Sequence, residues 1–283
     1  MSTSAKTSPT WAILSLITNG ILLLAVILLI WRQQDVTAFL ANILPNHVNA
    51  NASSQPTPEL GNRHQLNYQQ WVDILKQEAK VATEKRPTHL TILAGDSLSL
   101  WFPPELLPEN RNWLNQGISG ENSTGLLKRL EIFDRTQPET IFVMIGINDL
   151  IQGYDDEIIL NNHRQIMRYL RKVHPQTQIV IQSILPHAAE EATWEGREKL
   201  LNISNTRILK LNQQLKTMAT KAGVKYLNLH PLFVNNQGNL RSEFSTDGLH
   251  LNPQGYLVWS SALQLYSQIE LENRPCFAFT CFD

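Results

Sequence analysis

The sequence predicts a three-layer α/β/α domain with a mostly parallel central sheet, preceded by one transmembrane helix. Three observations predict it. Short, continuous apolar runs such as Thr140 to Ile145 alternate with longer segments whose apolar residues recur every three or four positions. Continuous runs suit strands buried on both faces, as in a parallel sheet. Ahead of them stands a nearly uncharged block from Trp11 to Trp31.

The chain has 283 residues, of which 42% are hydrophobic. That suffices for one sizeable domain, or one domain and an appendage. A formal net charge of -1 gives no electrostatic reason to expect a nucleic-acid partner. No basic patch interleaved with aromatics is present, and no repeat of fixed period.

The elements follow in order. A tail at 1–10 leads into the predicted membrane helix at 11–32, with its core at Ile21 to Ile30. A helix needs about 20 apolar residues to cross the hydrocarbon. Trp11 and Trp31 stand where interfacial aromatics stand, and Arg32 follows, although Thr18, Asn19 and Gly20 interrupt the block. The competing readings are a cleaved signal peptide and a buried core helix; the block is long for the first, and no small-x-small site follows it. Lys6 and Arg32 nearly balance across the span, and the expected orientation puts the catalytic domain outside the cytoplasm.

A linker at 33–66 comes next, rich from Pro45 to Arg63 in Asn, Ser, Pro and Thr, a composition that cannot bury a core. The domain occupies 67–274. Its strands are expected at His89 to Ala94, Trp113 to Ile118, Thr140 to Ile145, Gln178 to Leu185 and Val224 to Leu229. Between them, Asp155 is the expected N-cap of a helix that buries Ile159, His163, Ile166, Leu170 and Val173. Ile208, Leu211, Leu215, Met218 and Ala222 form a second stripe, stopped at Gly223. Asn252 and Pro253 open the last helix, with Trp259, Ala262, Tyr266 and Ile269 as its buried stripe. In the tail at 275–283, Cys276 and Cys281 read equally as a small disulfide loop or as two plain thiols, and no further ligands stand nearby to make a metal site.

The chemistry-bearing residues fall at strand ends, where parallel α/β sheets carry their sites. Gly95-Asp96-Ser97-Leu98 follows the first strand and brings Ser97 out as a nucleophile. A hydroxyl needs a base to take its proton. Asp247-Gly248-Leu249-His250, just before the last helix, supplies His250 as that base and Asp247 to orient it, a triad recognised by role and not by chain order. Gly117 after the second strand and Asn148 after the third offer a backbone N–H and a side-chain amide to an oxyanion, with the Ser97 N–H as a third donor.

These four blocks resemble those of the SGNH hydrolases, also called the GDSL esterase/lipase family, with Ser97, Gly117, Asn148 and His250 in order and Asp247 as the block's aspartate. Gly117 to Ser123 is similar to lysophospholipase/thioesterase-like and acetylhydrolase-like members, and Leu249 to Tyr256 resembles the end of such domains. The likeness covers roughly Leu90 to Ile269. It implies an SGNH, flavodoxin-like fold, a carboxylic ester hydrolase, and an acyl-serine mechanism without metal or organic cofactor. Family members act on varied esters, so the substrate does not follow from the fold.

Lesser residues read as follows. Asp96 and Asp149 hold loops, His163 is a core histidine, and His174 and His230 are loop residues. His187 borders the pocket or lies outside it. Ala188 to Arg197, with Trp194, reads as a lid or as a plain surface excursion, and Trp101, Phe102 and Trp194 as a substrate wall or as core. The leading expectation is a membrane-anchored serine ester hydrolase acting on a lipid acyl ester or an O-acetylated envelope glycan. An acyltransferase using the same acyl-serine and a non-catalytic envelope-binding module are the alternatives.

Overall fold

The computed structural model describes residues 66–271, which belong to the unit beginning at His64. The predicted span, most of the linker and the cysteine tail lie outside the described residues. Among the described residues no helix is long and apolar enough to cross a membrane.

Five strands make one sheet: β1 (Leu90–Gly95), β2 (Asn112–Gly117), β3 (Thr140–Met144), β4 (Gln178–Gln182) and β5 (Lys225–Leu227). Their order is β2-β1-β3-β4-β5, with every neighbouring pair parallel. β1 is buried at all its positions, and so is β3. Alternate residues serve opposite cores. Ile92, Ala94, Ile141 and Val143 join one cluster with Leu126, Ile166 and Leu170; Leu93, Phe142 and Val180 join the other with Trp259 and Leu263. Burying each large apolar side chain contributes about 1.5–3 kcal/mol relative to exposure. Layers on both faces are why the strands read as continuous apolar runs rather than as alternation.

The helices are α1 (Tyr68–Lys85), α2 (Ser97–Leu100), α3 (Ser123–Arg129), α4 (Ile147–Ile151), α5 (Asp156–Val173), α6 (Arg197–Leu201), α7 (Asn205–Lys221), α8 (His230–Phe233) and α9 (Pro253–Tyr266). α1 is an addition to the sequence expectations. Asn67 and Gln70 open it with a reciprocal capping box, at 3.0 and 2.8 Å. Asn252 caps α9 through the Gly255 N–H at 2.9 Å. Asp155 stands at the N-cap of α5, but its carboxylate makes no capping bond.

Other expectations are corrected. The fourth run leaves the sheet at Gln182, because the Asn212 side chain takes over both backbone groups of Ile184, at 2.8 Å each. β5 is correspondingly short. His230 opens α8 and is no loop residue. Beyond Tyr266 the chain widens into a π-helical turn at Ser267–Leu271, which turns Leu271 inward and leaves Ile269 53% exposed.

The register brings three strand ends level. Gly95 pairs with Gly117 on one side and Met144 on the other. Strand order reverses about β1, and such switch points open a crevice at the strands' carboxyl ends. α2 lies so close above β2 that a Cβ on Gly117 would stand 2.4 Å from the Leu100 nitrogen. Gly117→Ala therefore forces α2 to move, and its unfolding free energy in denaturant should fall by about 1–3 kcal/mol. Parent-like stability would show that α2 has room to yield.

Candidate active site

Strand β1 ends on Gly95, and Asp96 turns the chain into α2 by accepting the Leu98 N–H at 3.0 Å. Ser97 is thereby the first residue of a helix, with its N–H among the donors that a helix start leaves unpaired. The Tyr256 hydroxyl of α9 donates to the Leu98 carbonyl at 3.0 Å, and Phe102 packs between Tyr256 and Trp259. Phe102, at 2% exposure, is core and not a substrate wall.

The loop before α9 is a tight turn organised by Asp247. One carboxylate oxygen accepts the N–H groups of Leu249 and His250 at 2.9 and 2.8 Å. The other lies 2.7 Å from His250 Nδ1. On the far side of the ring, Nε2 is 3.2 Å from Ser97 Oγ. With the proton on Nδ1, the ring donates to Asp247 and accepts from the serine hydroxyl. Burial pushes the Asp247 carboxyl up, but the bonds from His250 and Leu249 outweigh it and hold the group below the usual carboxylate range. Trp101, 48% exposed, lies over the imidazole with ring centroids 4.5 Å apart.

Asn148, the second residue of α4, donates one amide hydrogen to the Glu121 carbonyl at 3.0 Å and keeps the other. The N–H of Gly117 is already given to Asn115 Oδ1 at 3.0 Å. Gly117 is a close-packing glycine here, and it is not free to meet a reacting carbonyl. Gly120 has the features that Gly117 lacks. Its φ of +75° is a conformation that suits glycine, and the space a Cβ would take is empty. Its N–H has no acceptor among the described residues.

Beneath this loop lies a buried ion pair that the sequence did not signal. Arg129 grips Glu121 with Nε–Oε1 and Nη2–Oε2 contacts of 2.7 and 2.5 Å, and donates to the Gln116 carbonyl at 2.8 Å. Tyr68 of α1 donates its hydroxyl to the same Glu121 at 3.0 Å. Asp149 accepts the N–H and hydroxyl of Ser123 at 2.8 and 2.5 Å and so joins α4 to α3. Asn162 of α5 donates to the Ser123 hydroxyl at 2.8 Å.

His163, His174 and His187 are buried in the fold. His163 is fully buried and meets the Ile145 carbonyl at 3.1 Å; burial brings it down to about 4, against that hydrogen bond. His174 is buried against Phe133. His187 is 1% exposed and lines no open surface. The Ala188 to Arg197 segment is hydrogen-bonded to the Asp247 turn.

Asp96, beside the serine, is strongly perturbed by its surroundings. Burial raises its carboxyl to about 7, helped by Glu121 and Asp149 and opposed by the Leu98 N–H. The unfolded chain ionises this group near its ordinary value, so folding stability is lost as pH climbs from about 4 to about 7. Asp96→Asn removes the titration and keeps an acceptor for the cap. Its melting temperature relative to the parent should rise across that window and level off above it. A difference that stays flat with pH would sink this reading.

Residues 83–258 match the GDSL-like Lipase/Acylhydrolase family. Human platelet-activating factor acetylhydrolase IB subunit alpha1 is 24% identical over 241 residues, covering 80% of this chain and 95% of that protein. A solved structure from Streptococcus pneumonia, named for platelet activating factor, is 26% identical with a TM-score of 0.62, covering 70% of this chain and 93% of that one. The N-acylneuraminate cytidylyltransferase of Streptococcus agalactiae serotype III is 26% identical over 177 residues; the match takes in 62% of this chain but only 38% of that protein. With the family match spanning most of the domain just described, this chain belongs to the GDSL-like lipase/acylhydrolase family and is a hydrolase of the esterase/lipase kind.

Proposed function

We propose that the domain cleaves carboxylic esters through an acyl-serine intermediate, with Ser97 as nucleophile, His250 as its base and Asp247 holding the imidazole. The observation that carries this reading is the unbroken relay from Asp247 Oδ2 through His250 to Ser97 Oγ, at 2.7 and 3.2 Å. As Ser97 Oγ bonds to the ester carbon, Nε2 takes its proton and the carbonyl pair moves onto oxygen. That oxyanion meets the N–H groups of Ser97 and Gly120 and the free amide hydrogen of Asn148. Collapse restores the carbonyl and breaks the bond to the alcohol, which leaves with the proton from His250. Water repeats the sequence: it gives a proton to Nε2, attacks the acyl carbon, and the acid departs as the proton returns to Ser97.

Trp101 supports a view of the substrate. The leaving alcohol departs beside His250, and the exposed indole lies against that ring. An aromatic face suits a sugar ring or the apolar part of a lipid alcohol. The proposed substrate is therefore a lipid acyl ester or an O-acetylated envelope glycan. The apolar block at 11–32 serves as a single-pass membrane anchor, with the domain on the extracytoplasmic side.

The test uses the chain from about Gln55 onward with p-nitrophenyl esters from acetyl to palmitoyl. Ser97→Ala should lose at least about 10⁴-fold in kcat/KM. Asn148→Ala should lose about 10²- to 10³-fold in kcat. Activity surviving Ser97→Ala would end the acyl-serine reading. A sharp acetyl preference would select the glycan over the lipid. Alkaline phosphatase fused after Asp283 should be active; an inactive fusion would reverse the orientation.

A further inference from the structure

We propose that His187 is a positioning residue for the Asp247 carboxylate, and that Ala188 to Trp194 is a fixed clamp on the catalytic turn rather than a lid. The inference rests on the acyl-serine reading above. Its starting point is a buried imidazole with both nitrogens engaged. Nε2 lies 2.7 Å from the Ile203 carbonyl, and Nδ1 accepts the Ala189 N–H at 3.0 Å. Only the neutral ring with its proton on Nε2 satisfies both partners. Burial favours that form, holding the ring below the ordinary histidine range against the pull of the Ile203 carbonyl.

The bond to Ala189 matters because that residue adopts a φ of +52°, which a side chain with a Cβ disfavours. An acceptor fixed beneath its N–H holds the chain in this bend. The bend aims the following backbone at the catalytic turn. Ala188 N–H donates to the Gly248 carbonyl at 2.8 Å, and the Thr193 and Trp194 N–H groups both donate to the Asp247 carbonyl, at 2.8 and 2.9 Å. The two segments touch closely enough that a Cβ on Gly248 would stand 2.6 Å from Ala192 Cα.

His187 is itself anchored at its backbone. Its N–H reaches Asn205 Oδ1 at 3.1 Å, while its carbonyl accepts from Asn205 Nδ2 at 2.8 Å and from the Leu240 N–H at 3.1 Å. The start of α7 is thus the frame, His187 the bracket, and the clamp the part that meets Asp247. Asp247 in turn fixes which way the His250 ring faces.

Variants of the full-length chain, solubilised in detergent, test this with p-nitrophenyl acetate. His187→Phe removes both ring hydrogen bonds, and kcat should fall about 10- to 100-fold with KM nearly unchanged. The acid limb of kcat/KM should move to lower pH, because a loosened Asp247 favours the imidazolium less. His187→Asn keeps an acceptor near the place of Nδ1 and should recover most of the rate. Combined with Asp247→Asn, His187→Phe should add little further loss, since both act through one carboxylate. Parent-like kcat and pH profile in folded His187→Phe would overturn the inference, as would equal losses in the Phe and Asn variants, or losses that multiply with Asp247→Asn. Should His187→Phe fail to fold, His187→Gln, which keeps a donor for Ile203 but misplaces the acceptor for Ala189, carries the same expectations and refutations. Activity surviving Ser97→Ala would instead remove the parent reading and leave the cause distinguishable.

Discussion

The site depends on one constraint, the register of β1 between β2 and β3. Gly95 stands level with Gly117 and with Met144, so three strands stop in one plane. Parallel strands deliver their carboxyl ends to the same side, and at the switch point no crossover helix covers them. Ser97, Asn148 and the Gly120 loop all leave from that plane within a few residues. A slip of one residue in β1 would turn every side chain of a strand buried on both faces and carry Ser97 away from His250. Packing on two cores makes such a slip costly, and the hydrophobic runs therefore set the chemistry as well as the fold.

Beneath the plane the protein accepts an expensive arrangement. Asp96, Glu121 and Asp149 are all buried, and each of the three carboxyls is raised, burial being the largest cause. Arg129 is buried with them and pairs directly with Glu121. Breaking such a pair typically costs about 3–5 kcal/mol, though replacing both members by apolar residues is often neutral. Stability alone thus gives little reason to keep the pair. Geometry gives a better one: the grip on Glu121 fixes the carbonyl that orients Asn148, and the same guanidinium holds the end of β2 through Gln116. Asp96 shares the space without a hydrogen bond from Arg129, and burial raises its carboxyl furthest toward the neutral form of the acid, to about 7.

The sequence revealed those parts of the fold and site whose cause is local. β1 and β3 were legible as unbroken apolar runs. Asp247 and His250 were legible as a pair because three residues across a turn suffice to bring carboxylate and imidazole together. Contacts made through space left no such trace. The stretch Gly117 to Gly120 holds two glycines, and adjacency to the strand pointed to the first; the Asn115 side chain, folded back onto the Gly117 N–H, and the positive φ of Gly120 distinguish them in the structure. Arg129 lies eight residues from its partner with no motif between. The segment after Pro186 read as a lid or an excursion, since polar composition looks the same whether or not its backbone is held by a distant turn. α1 was missed because only Leu75 and Ala79 among its residues are buried.

That helix bears on where the catalytic unit begins. The family match starts at residue 83, almost at the end of α1. The long-range hydrogen bonds start earlier, at Tyr68, whose hydroxyl reaches Glu121 beside Gly120. A boundary drawn by the family match and one drawn by contact therefore differ by nearly the whole helix. The residues between them lie outside the family match but inside the hydrogen-bond network beneath the site. They place the first turn of α1 in direct touch with the residue that follows Gly120, so that the start of the domain and the candidate site share a neighbour.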